Sequence, residues 1–448
     1  MKKFLAMILA LSMVFALCAT SAAAEGKTVI NVMSFTDEVP GMWNKFFEVY
    51  PELGEQYEVK TTVIATTDGL YQPALDQALV TGGADAPDMY CAEAAFILKY
   101  AQGDMAEYAA AYEDIIDDVP GKLEAADIAQ YTIDIGTRPA DGKLVGLGYQ
   151  ATGGAFIYRR SIAKDVWGTD DPAVVAEKIG AGTNSWDTFF AAAEELKAKG
   201  YGILSGDGDL WHAVENSSDA GWIVDDTLTI DPKREAFLDL SKTLMDNGYH
   251  NDTVDWQEGW FADMKGTGDK GILGFFGPAW LINYTLAPNC GGEKVGEGTY
   301  GDWAVCAPPI GFFWGGTWLL ANKDTPNADV IGKFIEWVTL DCSETGLQYY
   351  WANGTLNGEG GTKDAVASGT VMSKSNGTLD FLAGQDMFEA FVPANAYANG
   401  KNLTQYDETI NNYWRDATRQ YTGGQLSRDE AIAAFKQTVG DNLDIVVE

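Results

Sequence analysis

From Lys27 onward, short runs in which apolar and polar residues alternate give way repeatedly to stretches with apolar residues three and four positions apart. A period of two marks a half-buried strand, and a period near 3.6 marks an amphipathic helix. On that pattern residues 28–33 form a strand, 41–50 a helix, 57–64 a strand and 70–80 a helix, and a strand over 88–91 leads into another helix. Such alternation builds a mostly parallel sheet covered by helices. Sheets of this kind hold ligands in the loops beyond the carboxyl ends of their strands. Here those loops are residues 34–39, 65–69 and 92–94, and each is polar or small.

Farther along, Asp141 and Gly142 mark a turn, residues 144–149 a strand, 151–154 a break of small residues, and 155–158 a second strand that ends on Arg159 and Arg160. Gly153 and Gly154 let the backbone change direction where a bulky side chain could not. A helix over 188–199 has Ser185 as its cap and Gly200 as its stop. A strand over 202–205 then runs into a loop over 206–210, next to Trp211 and His212. Residues 270–284 read as a strand, a Gly277-Pro278 turn and a helix beginning near Trp280. A glycine-rich aromatic segment precedes a helix over 327–339, and two more helices, 406–420 and 427–439, close the chain. Trp43, Trp337 and Tyr349 lie on apolar helix faces and belong to the core.

The length of 448 residues exceeds what one compact core supports, so two lobes are expected. Thirty basic against 65 acidic residues leave a net charge of −35, which repels nucleic acid and anionic membrane surfaces. The 14 Trp and 20 Tyr supply flat apolar faces with polar edges, suited to sugar rings as well as to cores. At the amino terminus Lys2-Lys3, an apolar run over 4–18 and Ala22-Ala23-Ala24 make up a secretory leader, so residues 1–24 are a signal peptide. Leu17 before Cys18 disfavours lipid anchoring through that cysteine. Export allows disulfides, but Cys91, Cys290, Cys306 and Cys342 include no close pair. Buried free thiols are the expectation, with Cys290–Cys306 the one bridge left open.

Enzyme signatures are scarce: the chain has no GxSxG, HExxH, phosphate-binding loop or GxGxxG behind a strand, and two histidines restrict metal and acid–base chemistry. No metal or other cofactor is implied. A glycosidase needs only two well-placed carboxylates, so a secreted carbohydrate-active enzyme stands as the alternative from another class. A binding site for a neutral sugar needs carboxylates and amides that take up hydroxyls beside an aromatic face that covers the ring.

The run DGKLVGLGYQATGGAFIYRR (141–160) resembles the strand pair by which extracellular solute-binding proteins of carbohydrate ABC importers, a maltose-binding-protein-like family, cross from one lobe to the other. Gly148 stands where that family usually has proline. The helix NSWDTFFAAAEELKAKG (184–200), the GPAW turn (277–280) and the segment GGTWLLA (315–321) follow in the family's order. The resemblance implies a two-lobed α/β periplasmic-binding-protein-like fold of type II, each lobe a mostly parallel sheet flanked by helices and joined by hinge strands. Lobe 1 would comprise 25–148 plus about 319–362, and lobe 2 would comprise 149–318 plus about 363–448, with a third crossing near 363–370. It also implies an exported monomer that binds an oligosaccharide between its lobes and delivers it to a membrane permease. Carried over loop by loop, the ligand residues would be Asp37, Glu38, Asp68 and Glu93 on the first lobe. On the second lobe and the crossings they would be Tyr149, Gln150, Asp207, Trp211, Trp280, Trp314 and Trp318. A polyamine is the rival ligand, because carboxylates and indoles also suit cations.

Overall fold

The structure, a computed structural model, describes residues 26–448 except 67, 68 and 359. The signal peptide, Cys18 and Asp68 therefore lie outside the described residues. In chain order the elements that place the site are β1 (Thr28–Ser34), α1 (Glu38–Val49), β2 (Tyr57–Val63), α2 (Tyr71–Thr81), β3 (Met89–Glu93), β4 (Leu147–Gly148) and β5 (Ala155–Arg159). They continue with α3 (Asp187–Lys197), α4 (Asp207–Glu215), β6 (Gly274–Gly277), β7 (Trp303–Cys306), β8 (Thr317–Ala321), α5 (Ala328–Thr339) and α6 (Asp407–Thr422).

Two sheets organise the molecule. The first has the order β2-β1-β3-β8-β4, and the second β6-β5-β7. Strands β1, β2 and β3 run parallel, as their alternation with helices requires, whereas β8 joins β3 and β4 antiparallel. The second sheet departs from the mostly parallel expectation, because β6 and β7 both pair antiparallel with β5. Parallel pairing there is limited to two bridges, Gly202–Ile272 and Leu204–His250, so the strand expected over 202–205 is reduced to these contacts.

Amphipathic spacing explains the packing of the first sheet. Val39, Met42, Trp43 and Phe46 recur at helical intervals on α1 and are all buried. Trp43 stacks on Phe334 of α5 with ring centroids 3.6 Å apart and planes 4° from parallel. Burying a side chain of this kind contributes about 1.5–3 kcal/mol. In α3, Phe189, Ala192, Ala193 and Leu196 form the buried face, and Ser185 Oγ accepts the Asp187 N–H at 3.2 Å.

Two local expectations change. The strand over 144–149 splits, since Lys143–Leu144 pairs with Thr137–Arg138 and only Leu147–Gly148 joins the large sheet. The break falls where the Gly146 carbonyl passes so close to Gly136 that a Cβ there would sit 1.7 Å from it. The segment over 206–210 is not a loop but the start of α4. Its glycine–aspartate composition suits a helix amino terminus: Asp209 Oδ2 accepts the N–H groups of Ser205 and Gly206 at 3.2 and 3.1 Å, and acids in a first turn oppose the helix dipole favourably.

Paired chain segments connect the sheets. Residues 149–154 lead from β4 into β5; Gly153 bridges Phe313, which leads into β8, and Gln150 bridges Val366. Gly153 and Gly154 are absent from the positive-φ positions, so their role is close approach rather than an unusual turn. A Cβ at Gly154 would meet the Phe312 ring at 2.1 Å, and one at Gly153 the Ala394–Asn395 backbone at 2.6 Å. The four cysteines are free; Cys91, Cys290 and Cys306 are buried and Cys342 is half-buried. Among the described residues no helix is long and apolar enough to cross a membrane.

Candidate ligand-binding cleft

The carboxyl end of β1 delivers Asp37 and Glu38, and the carboxyl end of β6 delivers Trp280; all three line one cavity of about 260 Å³. Asn283 and Tyr284 follow Trp280 by three and four positions on a π-helical turn (Leu281–Leu286) and line the same cavity. Trp351, Asn357, Thr362 and Asp364 close it, the last standing where the chain runs beside the crossing at Gln150. Among the described residues the wall thus combines three carboxyl groups, two amides and three aromatic rings, with no lysine, arginine or histidine.

Two of the acids are held from behind. Tyr149 donates its hydroxyl to Glu38 Oε2 at 2.8 Å, and Gln150 Nε2 donates to Asp364 Oδ2 at 3.0 Å, with Trp351 Nε1 at 3.3 Å from the same oxygen. Burial pushes the Glu38 carboxyl up to about 7, against the Tyr149 hydrogen bond and with help from the charge of Asp37. Burial likewise raises Asp364 to about 7, opposed by Gln150 and reinforced by Glu38. Each can therefore present both a donor and an acceptor near neutrality.

A second cavity of about 90 Å³ is lined by Glu93, Glu215, Asn216, Trp314 and Asp407 among others. Burial raises Glu93 to about 8, Glu215 to about 7 and Asp407 to about 6; the Ala95 N–H partly offsets it at Glu93, and Arg234 does so at the other two. Trp314 joins the cavities: Trp280 Nε1 donates to its carbonyl at 3.1 Å, the two rings meet edge-on at 4.8 Å, and His212 stacks behind Trp314 at 3.5 Å. Among the described residues no group of His, Cys, Asp and Glu is placed to hold a metal ion.

The raised carboxyl groups set a pH dependence. A carboxyl whose folded pKa lies above its unfolded value, near 4, binds its proton more readily in the folded chain, so stability falls as pH rises between the two values. For Glu38, Asp364, Glu93, Glu215 and Asp407 that window runs from about 4 to 8. The thermal midpoint at pH 5 is therefore expected to exceed that at pH 8 at constant ionic strength, with a shallower slope for the Glu38→Gln, Asp364→Asn double variant. Scanning calorimetry across that range checks it, and equal slopes for the two proteins would remove these carboxyl groups as the cause.

The sequence-derived candidates fall into three sets. Asp37, Glu38 and Trp280 line the larger cavity, and Glu93 and Trp314 the smaller. Tyr149 and Gln150 are buried behind the wall as the supports of Glu38 and Asp364. Trp211, Trp318 and Asp207 are not brought to either cavity. Trp211 is 1 % exposed against Phe237, Trp318 is 1 % exposed with Nε1 bound to the Thr132 carbonyl, and Asp207 accepts a hydrogen bond from Ser241 on a neighbouring helix. Sequence reasoning missed Asp364, Trp351, Asn283 and Tyr284. The helical spacing from Trp280 would have found the last two; Asp364 lies in a glycine-rich stretch with no periodic signal.

A family model described as bacterial extracellular solute-binding protein matches residues 38–341. No curated protein matches the chain by sequence. Among solved structures, the galacto-N-biose/lacto-N-biose I-binding protein of an ABC transporter from Bifidobacterium longum is 17% identical, with a TM-score of 0.68 over 94% of this chain and 99% of that one. The ABC-transporter-associated binding protein of B. animalis subsp. lactis Bl-04, in complex with β-1,6-galactobiose, is 21% identical with a TM-score of 0.61, covering 93% and 97%. The GacH receptor of Streptomyces glaucescens, solved with acarbose, is 17% identical with a TM-score of 0.64, covering 93% and 98%. At these identities the likeness establishes the two-lobed fold.

Proposed function

We propose that this chain, which belongs to the bacterial extracellular solute-binding protein family, binds a saccharide in the cleft between its two lobes and delivers it to an ABC permease. The observation that carries this reading is the larger cavity, whose described lining combines carboxyl groups and amides with indole and phenol rings and includes no basic side chain. Carboxyl oxygens take up ring hydroxyls, and the aromatic faces cover the apolar side of the ring while excluding water. On this reading Asp37, Glu38, Glu93, Trp280 and Trp314 touch ligand, together with Asp364 and Tyr284, while Tyr149 and Gln150 position the acids. Lobe 1 is residues 25–148 plus about 319–362 and lobe 2 the remainder after the signal peptide, with the exported protein acting as a monomer. The paired crossings are the hinge, and the ligand shifts the open–closed balance by its better affinity for the closed arrangement.

A thermal-shift screen across mono- and oligosaccharides, with spermidine as the cationic comparison, tests the reading, since a ligand that binds only the folded chain raises the midpoint. The expected result is a rise with a saccharide that is recovered intact by chromatography. A rise with spermidine alone replaces the ligand class, and release of shorter sugars replaces binding with hydrolysis.

A further inference from the structure

Trp256 is bulky, partly exposed at 39 % and held with φ at +65°. Among the described residues the other non-glycine positions with positive φ are Asp, Asn or Ala, and for a large side chain that conformation is costly. Glycine would suit the backbone there far better.

The chain on either side of the residue is anchored. Asp255 next to it is buried and paired with Arg415, whose Nη2 and Nη1 lie 2.6 and 3.2 Å from its two oxygens, and His212 Nε2 lies 3.4 Å away. Burial alone would raise the Asp255 carboxyl, but His212 and Arg415 outweigh it and hold it well below the usual carboxylate range. The Thr253 N–H donates to the Ser205 carbonyl and the Gln257 N–H to the Val254 carbonyl, both at 3.2 Å. The indole so presented lies outside the cavity wall, nearly parallel to Trp280 at 13° with centroids 6.3 Å apart, and edge-on to Trp314 at 6.2 Å. Tyr284, 55 % exposed, meets Trp280 edge-on at 6.4 Å. Trp256, Trp280 and Tyr284 thus form a chain of neighbouring rings in which Trp280 and Tyr284 line the cavity and Trp256 lies beyond its lining. Strain held at an exposed aromatic by a buried anchor is the pattern of a pre-organised ligand contact.

We propose that Trp256 is a further stacking platform of the cleft and sets a length preference: a saccharide of two or more rings reaches it, and a single ring held in the cavity does not. This rests on the saccharide reading above. The test compares wild type with Trp256→Ala and Trp256→Gly by calorimetric titration with glucose, maltose, maltotriose and maltotetraose, and with galactose and β-1,6-galactobiose. For probes that bind, both variants should lose about tenfold or more in affinity for the longest and stay within about twofold for the single ring. Trp256→Gly should also melt above Trp256→Ala, because glycine relieves the left-handed backbone. Unchanged affinity for every length in a wild type that binds overturns this proposal alone. A glycine variant no more stable than the alanine variant removes the strain from which it is argued, and a wild type that binds none of the probes takes down the saccharide reading and this proposal together.

Discussion

Trp280→Ala should weaken saccharide binding by roughly 30-fold to 1,500-fold while leaving the fold intact. The indole is only partly buried, lies in the cavity wall and is fixed by its Nε1 bond to the Trp314 carbonyl. Truncation removes an apolar contact of about 1.5–3 kcal/mol and a stacking contribution of about 0.5–1.5 kcal/mol. Together these come to about 2–4.5 kcal/mol, which at about 1.4 kcal/mol per decade is the stated range. If the ring served the core instead, the same change would cost about 3–5 kcal/mol of stability with little effect on affinity. Affinity by titration and the unfolding midpoint, measured on the same preparation, separate the two; a large fall in midpoint with intact affinity would move Trp280 into the core.

Arg415→Ala should cost about 3–5 kcal/mol of stability, because it leaves the buried Asp255 carboxylate with only the His212 imidazole, 3.4 Å away, beside it. The Arg415 and Asp255 side chains are 16 % and 6 % exposed, and Asp255 has packed against the first turn of α4, where a Cβ on Gly208 would lie 2.2 Å from its oxygen. Changing both residues together, Arg415→Met with Asp255→Leu, should cost much less, since neither member of the pair is then left as an unmatched buried charge. Urea denaturation of the three proteins checks the expectation, and a single variant as stable as the double one would show that the pair is solvated in solution.

Much of the architecture was legible in the sequence, for an identifiable reason. Helices such as α1 and α5 carry one apolar stripe each, and strands β1 to β3 alternate with helices, so local periodicity and layer geometry agree. The same rule points to Asp37 and Glu38, which follow β1, and to Glu93, the last residue of β3. Periodicity carries no information about partners distant in the chain. Asp364 joins Glu38 only because the chain returns beside Gln150, more than two hundred residues after that position. Nor does it fix which way an indole points: Trp318 follows Gly315-Gly316 as a cleft residue would, yet it turns inward because Gly148 leaves room for its ring at 3.3 Å from where a Cβ would stand. The start of α4 resembles a loop in sequence because glycine and aspartate favour turns as well as helix starts, and only the Asp209 cap distinguishes the two.

The disposition of the cysteines makes the folded chain singly addressable. Burial pushes the Cys91 thiol up to about 12, and Cys290 and Cys306 are equally enclosed, so among the described residues only Cys342, beyond the end of α5 and outside both cavity linings, is open to a reagent. A maleimide dye added to a native chain that begins at Glu25 should therefore attach once per molecule, and three further times after unfolding in urea, as mass spectrometry would count. That gives a fluorescent handle for following lobe closure or surface immobilisation without engineering a new attachment point.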